Sequence, residues 1–226
     1  MSFDFSFVGN YFPYYLKGAG YTLLISLITV LFGAIFGSIL FFIKTSKFNI
    51  WKIKPLKIIA VVYIDVIRGT PMLLQILIMY AGSKLFFGID LSPFTSAIIA
   101  IALNSAAYVS EIVRAGIEAV DKGQMEAARS LGMRKSTAMV LIVIPQAIKN
   151  ILPAIGNEFV AIIKESSMAS IIGVNELMFA GKVVAGSTYL GLEPYIIAAG
   201  FYFLMTFTLG RIISLIERRM KKSDSR

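Results

Sequence analysis

The sequence contains no cysteine and no histidine. Disulfide bonds and thiolate metal sites are therefore excluded, and so are metal sites and acid–base catalysis that depend on imidazole. Charged residues are also scarce, because they make up 15% of the chain whereas a soluble domain carries about a quarter. The 226 residues are 57% hydrophobic, with a mean hydropathy of +0.78. This composition favours an integral membrane protein. Because cysteine and histidine are absent, we also expect no metal site.

The hydrophobic residues are gathered in five long blocks separated by polar segments. The first block, Ala19 to Ile43, carries no charge and exceeds the ~20 residues that cross the hydrocarbon core of a bilayer. The other four run from Ile58 to about Ser83, from Phe94 to about Val113, from about Ile148 to Ile172, and from about Pro194 to Ile216. We therefore predict an all-α membrane protein with about five transmembrane helices.

Basic residues are concentrated in alternate polar segments. The segment around Asp90, between the second and third blocks, contains no lysine or arginine. The basic segments are the one after the first block (Lys44, Lys47, Lys52, Lys54, Lys57), the one from Arg114 to Lys149, and the tail (Arg218, Arg219, Lys221, Lys222, Arg226). Cytoplasmic loops of membrane proteins are enriched in lysine and arginine. We therefore predict an outside N-terminus, an inside C-terminus and an odd number of spans, and we attribute the net charge of +9 to these loops rather than to nucleic-acid binding.

Small residues and a proline predict two local features of the spans. Gly33 and Gly37 form a GxxxG pair, which allows close contact between helices, either within the chain or in a dimer.

In the second block Pro71 removes a backbone donor, Thr70 is steered away from helical angles, and Gly69 tolerates unusual ones. We expect the second span to break at this point, near the middle of the membrane.

The segment between the third and fourth blocks is the most organised part of the sequence. Gln124 to Leu131 is rich in helix-forming residues, and Gly132 stands where a left-handed C-terminal cap is expected. We expect Ser136 to cap a following helix that reaches Pro145. Met125, Ala128 and Leu131 would present a small apolar face, either to a partner protein or to the bundle itself.

The same segment resembles the signature loop of bacterial ABC importer permeases. Glu126-Ala-Ala is followed after three residues by Gly132 and after nine more by Ile142-Val-Ile-Pro145, where the family has Ile-x-Leu-Pro. Only Ile144 departs from that pattern, and it does so conservatively. Further segments resemble the polar amino acid branch of the family: 68–75, 107–116, Gly123-Gln124, Asn157-Glu-Phe and Lys164-Glu-Ser-Ser-Met.

The resemblance implies partners as well as a fold. It implies that a cytoplasmic coupling helix docks a separate ATPase, which binds ATP and Mg; the chain itself has no Walker A pattern and no cofactor of its own. It also implies a second permease copy, identical or related, and an extracytoplasmic amino-acid-binding protein. The residues assigned to ATPase docking are Gln124, Glu126, Ala127, Ala128, Arg129, Leu131 and Gly132.

Polar residues inside the predicted spans are candidates for substrate binding, because unpaired polar groups are costly in lipid. An amino acid carries a carboxylate, which Arg68 or a freed helix N-terminus would hold, and an ammonium group, which Glu158, Asn157 or Asn104 would hold. The full candidate set is Arg68, Gly69, Thr70, Pro71, Gln75, Asn104, Tyr108, Asn157 and Glu158. The alternative is structural: Asp65 with Arg68, and Glu111 with Arg114, have the spacing of ion pairs on one helix face.

The sequence thus predicts a multi-pass permease of the bacterial inner membrane that moves a polar amino acid by alternating access and is not itself an enzyme. Its single domain spans 1–226, with a core of about 15–220 and a coupling loop of about 121–136. Asp65 and Glu158 favour a basic substrate such as arginine, lysine or histidine. The alternatives are an ABC permease for another small solute and, in a different class, an ATP-independent secondary transporter.

Overall fold

A computed structural model describes residues 3–46 and 54–222 of the chain. Lys47, Lys52 and Arg226, on which the orientation prediction partly rests, lie outside these residues. Within the described ranges every regular element is helical. The elements are α1 Val8–Thr45, α2 Pro55–Gly69, α3 Met72–Phe87, α4 Pro93–Glu118, α5 Lys122–Ser130, α6 Lys135–Ala138, a π-helix Met139–Val143, α7 Ile144–Glu165, a 3₁₀-helix Ser166–Ile172, α8 Leu177–Thr188 and α9 Glu193–Lys222.

Helices long and apolar enough to cross a membrane occur where the blocks predict them. Four qualify alone: α1, α4, the continuous segment from Lys135 to Ile172, and α9. A fifth span results if the bent pair of α2 and α3 is counted as one. The prediction of an all-α membrane fold with about five spans is confirmed, although α1 begins earlier than its hydrophobic block.

The predicted break in the second span is confirmed. Thr70 has an extended backbone (φ −119°, ψ 146°), Pro71 is the N-cap of α3, and the axes of α2 and α3 differ by 110°. The proline ring crowds the preceding residue out of the helical region, and the missing N–H cannot continue the α2 hydrogen-bond ladder. The bend therefore follows directly from two neighbouring residues.

Close contact between α1 and α4 forms the centre of the bundle. A side chain at Gly33 would overlap the Ser105 hydroxyl, and a Cβ at Gly37 would lie 2.7 Å from the Ala106 carbonyl oxygen and from Val109 Cβ. The GxxxG pair thus serves packing within the chain. Two-thirds of the apolar stretch of α4 is buried, against 6% of that of α9, so α4 is the central helix and α9 the peripheral one.

Contacts along α1 and α4 show that the two helices run parallel. Tyr21, in the first half of α1, meets Phe94 at the start of α4, with ring centres 6.3 Å apart, and Lys44 at the end of α1 meets Glu111 near the end of α4. A chain that crosses twice in one direction must return in between. The parallel course therefore supports counting α2 and α3 together as one broken span.

The helix after α5 departs from the prediction in two ways. Arg134, not Ser136, is the N-cap of α6, and no side chain caps it. The helix also continues past Pro145 as far as Ile172. The π-helix makes this continuation possible: the Ile144 N–H reaches back five residues to the Met139 carbonyl, and Pro145 then falls in the first turn of α7, where an N–H is not required.

Sequence patterns missed one short helix, α8. The buried side chain of Glu176 caps its N-terminus and accepts hydrogen bonds from the N–H groups of Met178 (2.9 Å) and Phe179 (2.8 Å). The Tyr202 hydroxyl of α9 donates to the same carboxylate at 2.6 Å, and the Leu177 N–H donates to the Thr22 hydroxyl of α1. Glu176 therefore anchors α8 between α1 and α9.

Candidate functional site

The break between α2 and α3 exposes backbone groups that Gln75 satisfies. A helix end leaves its last carbonyls without partners, and in a membrane such groups need another donor. The Gln75 amide nitrogen donates to the Ile67 carbonyl at 2.7 Å and to the Thr70 hydroxyl at 2.9 Å. That hydroxyl in turn donates to the Val66 carbonyl at 2.8 Å. Gln75 and Thr70 thus hold the bend in place.

The bend is tied to the central helix by two further hydrogen bonds. The amide nitrogen of Asn104, which is 5% exposed, donates to the Gln75 carbonyl oxygen at 2.9 Å. The Tyr63 hydroxyl of α2 donates to the Leu103 carbonyl at 2.7 Å. The structure therefore brings together three of the predicted site residues, Thr70, Gln75 and Asn104, as one polar group between the broken span and α4.

Arg68 belongs to a second polar group, centred on Glu111. Its guanidinium lies 5.3 Å from the centre of the Tyr108 ring and 4.0 Å from the Glu111 carboxylate. Glu111 also pairs with Lys44 of α1 at 2.6 Å and with Arg114 at 2.9 Å.

The predicted pair of Glu111 and Arg114 is confirmed, but the pairing of Arg68 with Asp65 is wrong. Asp65 is exposed on α2, and Arg68 turns toward α4 instead. The role of Glu111 as a common partner was not visible in the sequence, because its other two partners lie far away along the chain and only helix packing brings them close.

Asn157 and Glu158 belong to neither hydrogen-bonded group. They are in the middle of α7, where Asn157 is exposed and Glu158 half-buried. Neither makes a hydrogen bond to Arg68, Thr70, Gln75 or Asn104 within the described residues. Their side chains are therefore not part of the hydrogen bonding that holds the broken span. Gly69 and Pro71 are exposed at the bend itself.

The predicted cytoplasmic helix is present as α5. The Asp121 carboxylate caps its N-terminus by accepting a hydrogen bond from the Gly123 N–H at 2.7 Å. At its C-terminus Gly132 has a φ of +83°, and the Met133 N–H bonds back to the Ala128 carbonyl at 3.1 Å. This pattern is the left-handed cap expected from the sequence. The glycine is required because side chains disfavour a positive φ.

The two sides of α5 differ in exposure. Ala128 is buried against the rest of the chain, whereas Leu131, just past the helix, is 85% exposed. Gln124, Glu126, Ala127, Arg129 and Gly132 are also exposed. Of the apolar face expected on this helix, Ala128 thus packs inward and Leu131 points outward. The outer side of α5 and its C-terminal turn form an accessible projection, held by caps at both ends.

Residues 30–222 match the family model of the binding-protein-dependent transport system inner membrane component. The chain belongs to this family. A permease of this family is a transport subunit rather than an enzyme, and it is a multi-pass component of the bacterial inner membrane. The match includes the loop around α5, the broken span and the helices that pack on them.

Two relatives and one solved structure resemble this permease over nearly its whole length. The arginine transport system permease protein ArtQ of Bacillus subtilis (strain 168) is 41% identical over 99% of this chain and 100% of its own. The putative glutamine transport system permease protein GlnP of Rickettsia conorii is 40% identical over 96% of this chain and 98% of its own. A crystal structure of an amino acid ABC transporter with histidines matches at 47% identity and a TM-score of 0.91, covering 97% of this chain and 100% of the other.

Proposed function

We propose that this permease imports a polar amino acid, with a basic amino acid favoured, by alternating access driven by a separate ATPase. The observation that carries the proposal is the pairing of two features in one bundle: a capped, exposed helix at the end of α4, and a broken span with polar partners inside the apolar region. The names of the relatives, which refer to arginine and glutamine transport, support an amino acid as the solute.

The exposed projection at α5 is proposed as the docking site of the ATPase. Gln124, Glu126, Ala127, Arg129, Leu131 and Gly132 would contact it directly, and Ala128 would hold the helix on the bundle. ATP and Mg would be bound by the partner. Because α5 is joined to α4 and, through the π-helix, to α7, a push on it would move both helices as rigid bodies.

The substrate is proposed to bind beside the bend and α7. Gly69 and Pro71 leave room at the bend, and the N-terminus of α3 offers backbone N–H groups to a carboxylate. Asn157 and Glu158 would hold the ammonium group or a basic side chain. Arg68 and Tyr108, which stack on each other, and Asn104, Thr70 and Gln75, which hold the bend, would line the site once it opens.

The orientation and the assembly are part of the proposal. The basic segments support an inside α5 and C-terminus and an outside N-terminus. The exposed apolar side chains of α9, such as Phe203 and Leu204, would face lipid or a second permease copy. A binding protein on the outer side would deliver the solute, as the family description suggests.

Reconstitution into liposomes with candidate ATPases tests the proposal. We expect ATP-dependent uptake of one or a few members of a panel that contains arginine, lysine, histidine and glutamine, together with methionine, a divalent metal and an oxyanion as the solutes of rival permeases. ATP turnover should rise with the transported amino acid alone. Uptake driven by an ion gradient without any ATPase would overturn the proposal in favour of a secondary transporter.

A further inference from the structure

A basic cavity lies between the ends of α1 and α4 and the start of α2. Its volume is about 490 Å³, and Lys44, Lys54, Lys57 and Arg114 contribute four cations to its lining. It is at the same end of the bundle as α5, because α4 leads directly into that helix. The residues assigned above to substrate binding or ATPase docking do not line it.

The cavity carries excess positive charge. Lys44 is paired with Glu111, and Arg114 is shared between Glu111 and Glu118, which also lines the cavity. Within the described part of the chain, Lys54 and Lys57 pair with no carboxylate. Lys54 and Lys57 therefore have no counter-charge, and a bound anion would neutralise them.

The start of α2 adds backbone donors to this charge. Lys54 is the N-cap of α2, and no side chain caps the helix there. Pro55 has no N–H and the Ile58 N–H bonds to the Lys54 carbonyl, so the N–H groups of Leu56 and Lys57 are available, and the helix dipole places partial positive charge at the same point. A helix N-terminus flanked by two unpaired lysines and facing a cavity is a favourable environment for a phosphate group.

Apolar surface adjoins the basic groups. Phe41 and Ile117 line the cavity itself. Farther along the same helices, Ile39 on α1 and Ile59 and Val62 on α2 are exposed by 49%, 65% and 54%, as expected of side chains that face lipid. A free phosphate would not use this surface, whereas the acyl chains of a phospholipid would cover it.

We propose that the cavity binds the headgroup of an anionic phospholipid, whose phosphate contacts Lys54, Lys57 and the start of α2. Basic pockets between membrane helices on the cytoplasmic side are known to hold such headgroups. The lipid would fix the start of the broken span against α1 and α4. Binding needs neither an ATPase nor an amino acid, so its test is independent of the proposed transport function.

The test is native mass spectrometry of the delipidated chain, titrated with phosphatidylglycerol, phosphatidylcholine and inorganic phosphate. We expect phosphatidylglycerol to bind at least tenfold more tightly than phosphatidylcholine, and phosphate not to compete with it. The double variant Lys54→Gln, Lys57→Gln should weaken phosphatidylglycerol binding about thirtyfold, since each lysine that contacts the anionic headgroup contributes about a fivefold factor. The single variant Lys57→Gln, expected to lose about fivefold, replaces it if the double variant does not fold.

A matched control removes two charges elsewhere at the same end of the bundle. Arg218 and Arg219 are exposed near the end of α9, and Arg218→Gln, Arg219→Gln should leave binding unchanged. Equal losses in both double variants would overturn the proposal, and so would unchanged binding in Lys54→Gln, Lys57→Gln. Displacement of the lipid by phosphate alone would identify a free anion as the ligand instead. If Lys54→Gln, Lys57→Gln loses a co-purified ATPase while its lipid binding stays unchanged, the two lysines contact a protein instead of a lipid. That result would also overturn the proposal.

Discussion

At the scale of single residues, Gln75 shows how a side chain that is a plausible ligand also has a structural role. Its amide bridges the end of α2, the Thr70 hydroxyl and Asn104. We predict that Gln75→Leu lowers the stability of the purified protein by about 2–3 kcal/mol, because the hydrogen bonds to the Ile67 carbonyl, the Thr70 hydroxyl and Asn104 are lost together. Asn104→Ala, which removes one of them, should cost about 1 kcal/mol. Thermal unfolding in detergent measures both.

A charge variant separates the donor role of Gln75 from its acceptor role. Gln75→Glu keeps an oxygen for Asn104 but loses the N–H groups that bind the Ile67 carbonyl and the Thr70 hydroxyl. It should destabilise the protein about as much as Gln75→Leu. If Gln75→Leu leaves the melting temperature unchanged and instead weakens amino acid binding, Gln75 does not hold the bend in place and is a direct ligand.

The same residue marks the limit of what the sequence predicts at this scale. Thr70 and Pro71 determine the bend locally, and Gly132 determines its cap locally, so both follow from neighbouring residues. The partners of Gln75 and Glu111 instead come from helices far along the chain. Only the packing of α1, α2 and α4 brings them together, and no spacing rule encodes that.

At the scale of helices, the α1–α4 contact depends on glycine. We predict that Gly33→Val, which would push a side chain into Ser105, destabilises the protein by about 1–3 kcal/mol, the usual cost of overpacking. Gly20 lies on the same helix, and a Cβ added there would meet no heavy atom within 4 Å, so Gly20→Val is the control and should be nearly neutral. Equal melting temperatures for the two variants would contradict the close α1–α4 packing.

The α5 helix allows a second test, which concerns the coupling between ATP hydrolysis and uptake. Gly132→Val forces a β-branched residue to a φ of +83° at the proposed docking site, which costs about 1–3 kcal/mol locally. We predict that the variant stays in the membrane but loses the coupling between ATP hydrolysis and uptake. Gly88 has a similar φ of +67° at the end of α3, and Gly88→Val should therefore carry comparable strain without uncoupling. Normal transport by Gly132→Val would exclude the docking role.

Helices also show where sequence patterns fail. The break at Pro71 and the continuation past Pro145 involve the same residue type with opposite outcomes. Pro145 follows a π-turn and falls in the first turn of α7, whereas Pro71 follows a residue that has left the helix. The π-turn decides between the two outcomes, and no simple pattern in residues 139–143 predicts it. The α8 helix was missed because its cap, Glu176, is stabilised by Tyr202 and Thr22 from other helices.

At the scale of the whole molecule, the number of membrane crossings decides which helix ends lie on the same side of the bilayer. Parallel α1 and α4 support counting the broken span as one crossing, and on that count we predict five crossings and opposite sides for the two termini. Because the chain has no cysteine, single cysteines can be introduced without background. We predict that Asp90→Cys is labelled by a membrane-impermeant maleimide in intact cells, whereas Lys54→Cys and Ser130→Cys are labelled only after permeabilisation.

The pattern of labelling distinguishes the two topologies as well as the two orientations. If α2 and α3 formed a re-entrant loop, Lys54→Cys and Asp90→Cys would be labelled from the same side. If the orientation were inverted, all three positions would exchange sides together. Opposite sides for positions 54 and 90, with 54 and 130 inside, would place the basic cavity and α5 on the same membrane face. The site for an anionic lipid and the site for an ATPase would then be neighbours, one at each end of the α4–α5 connection.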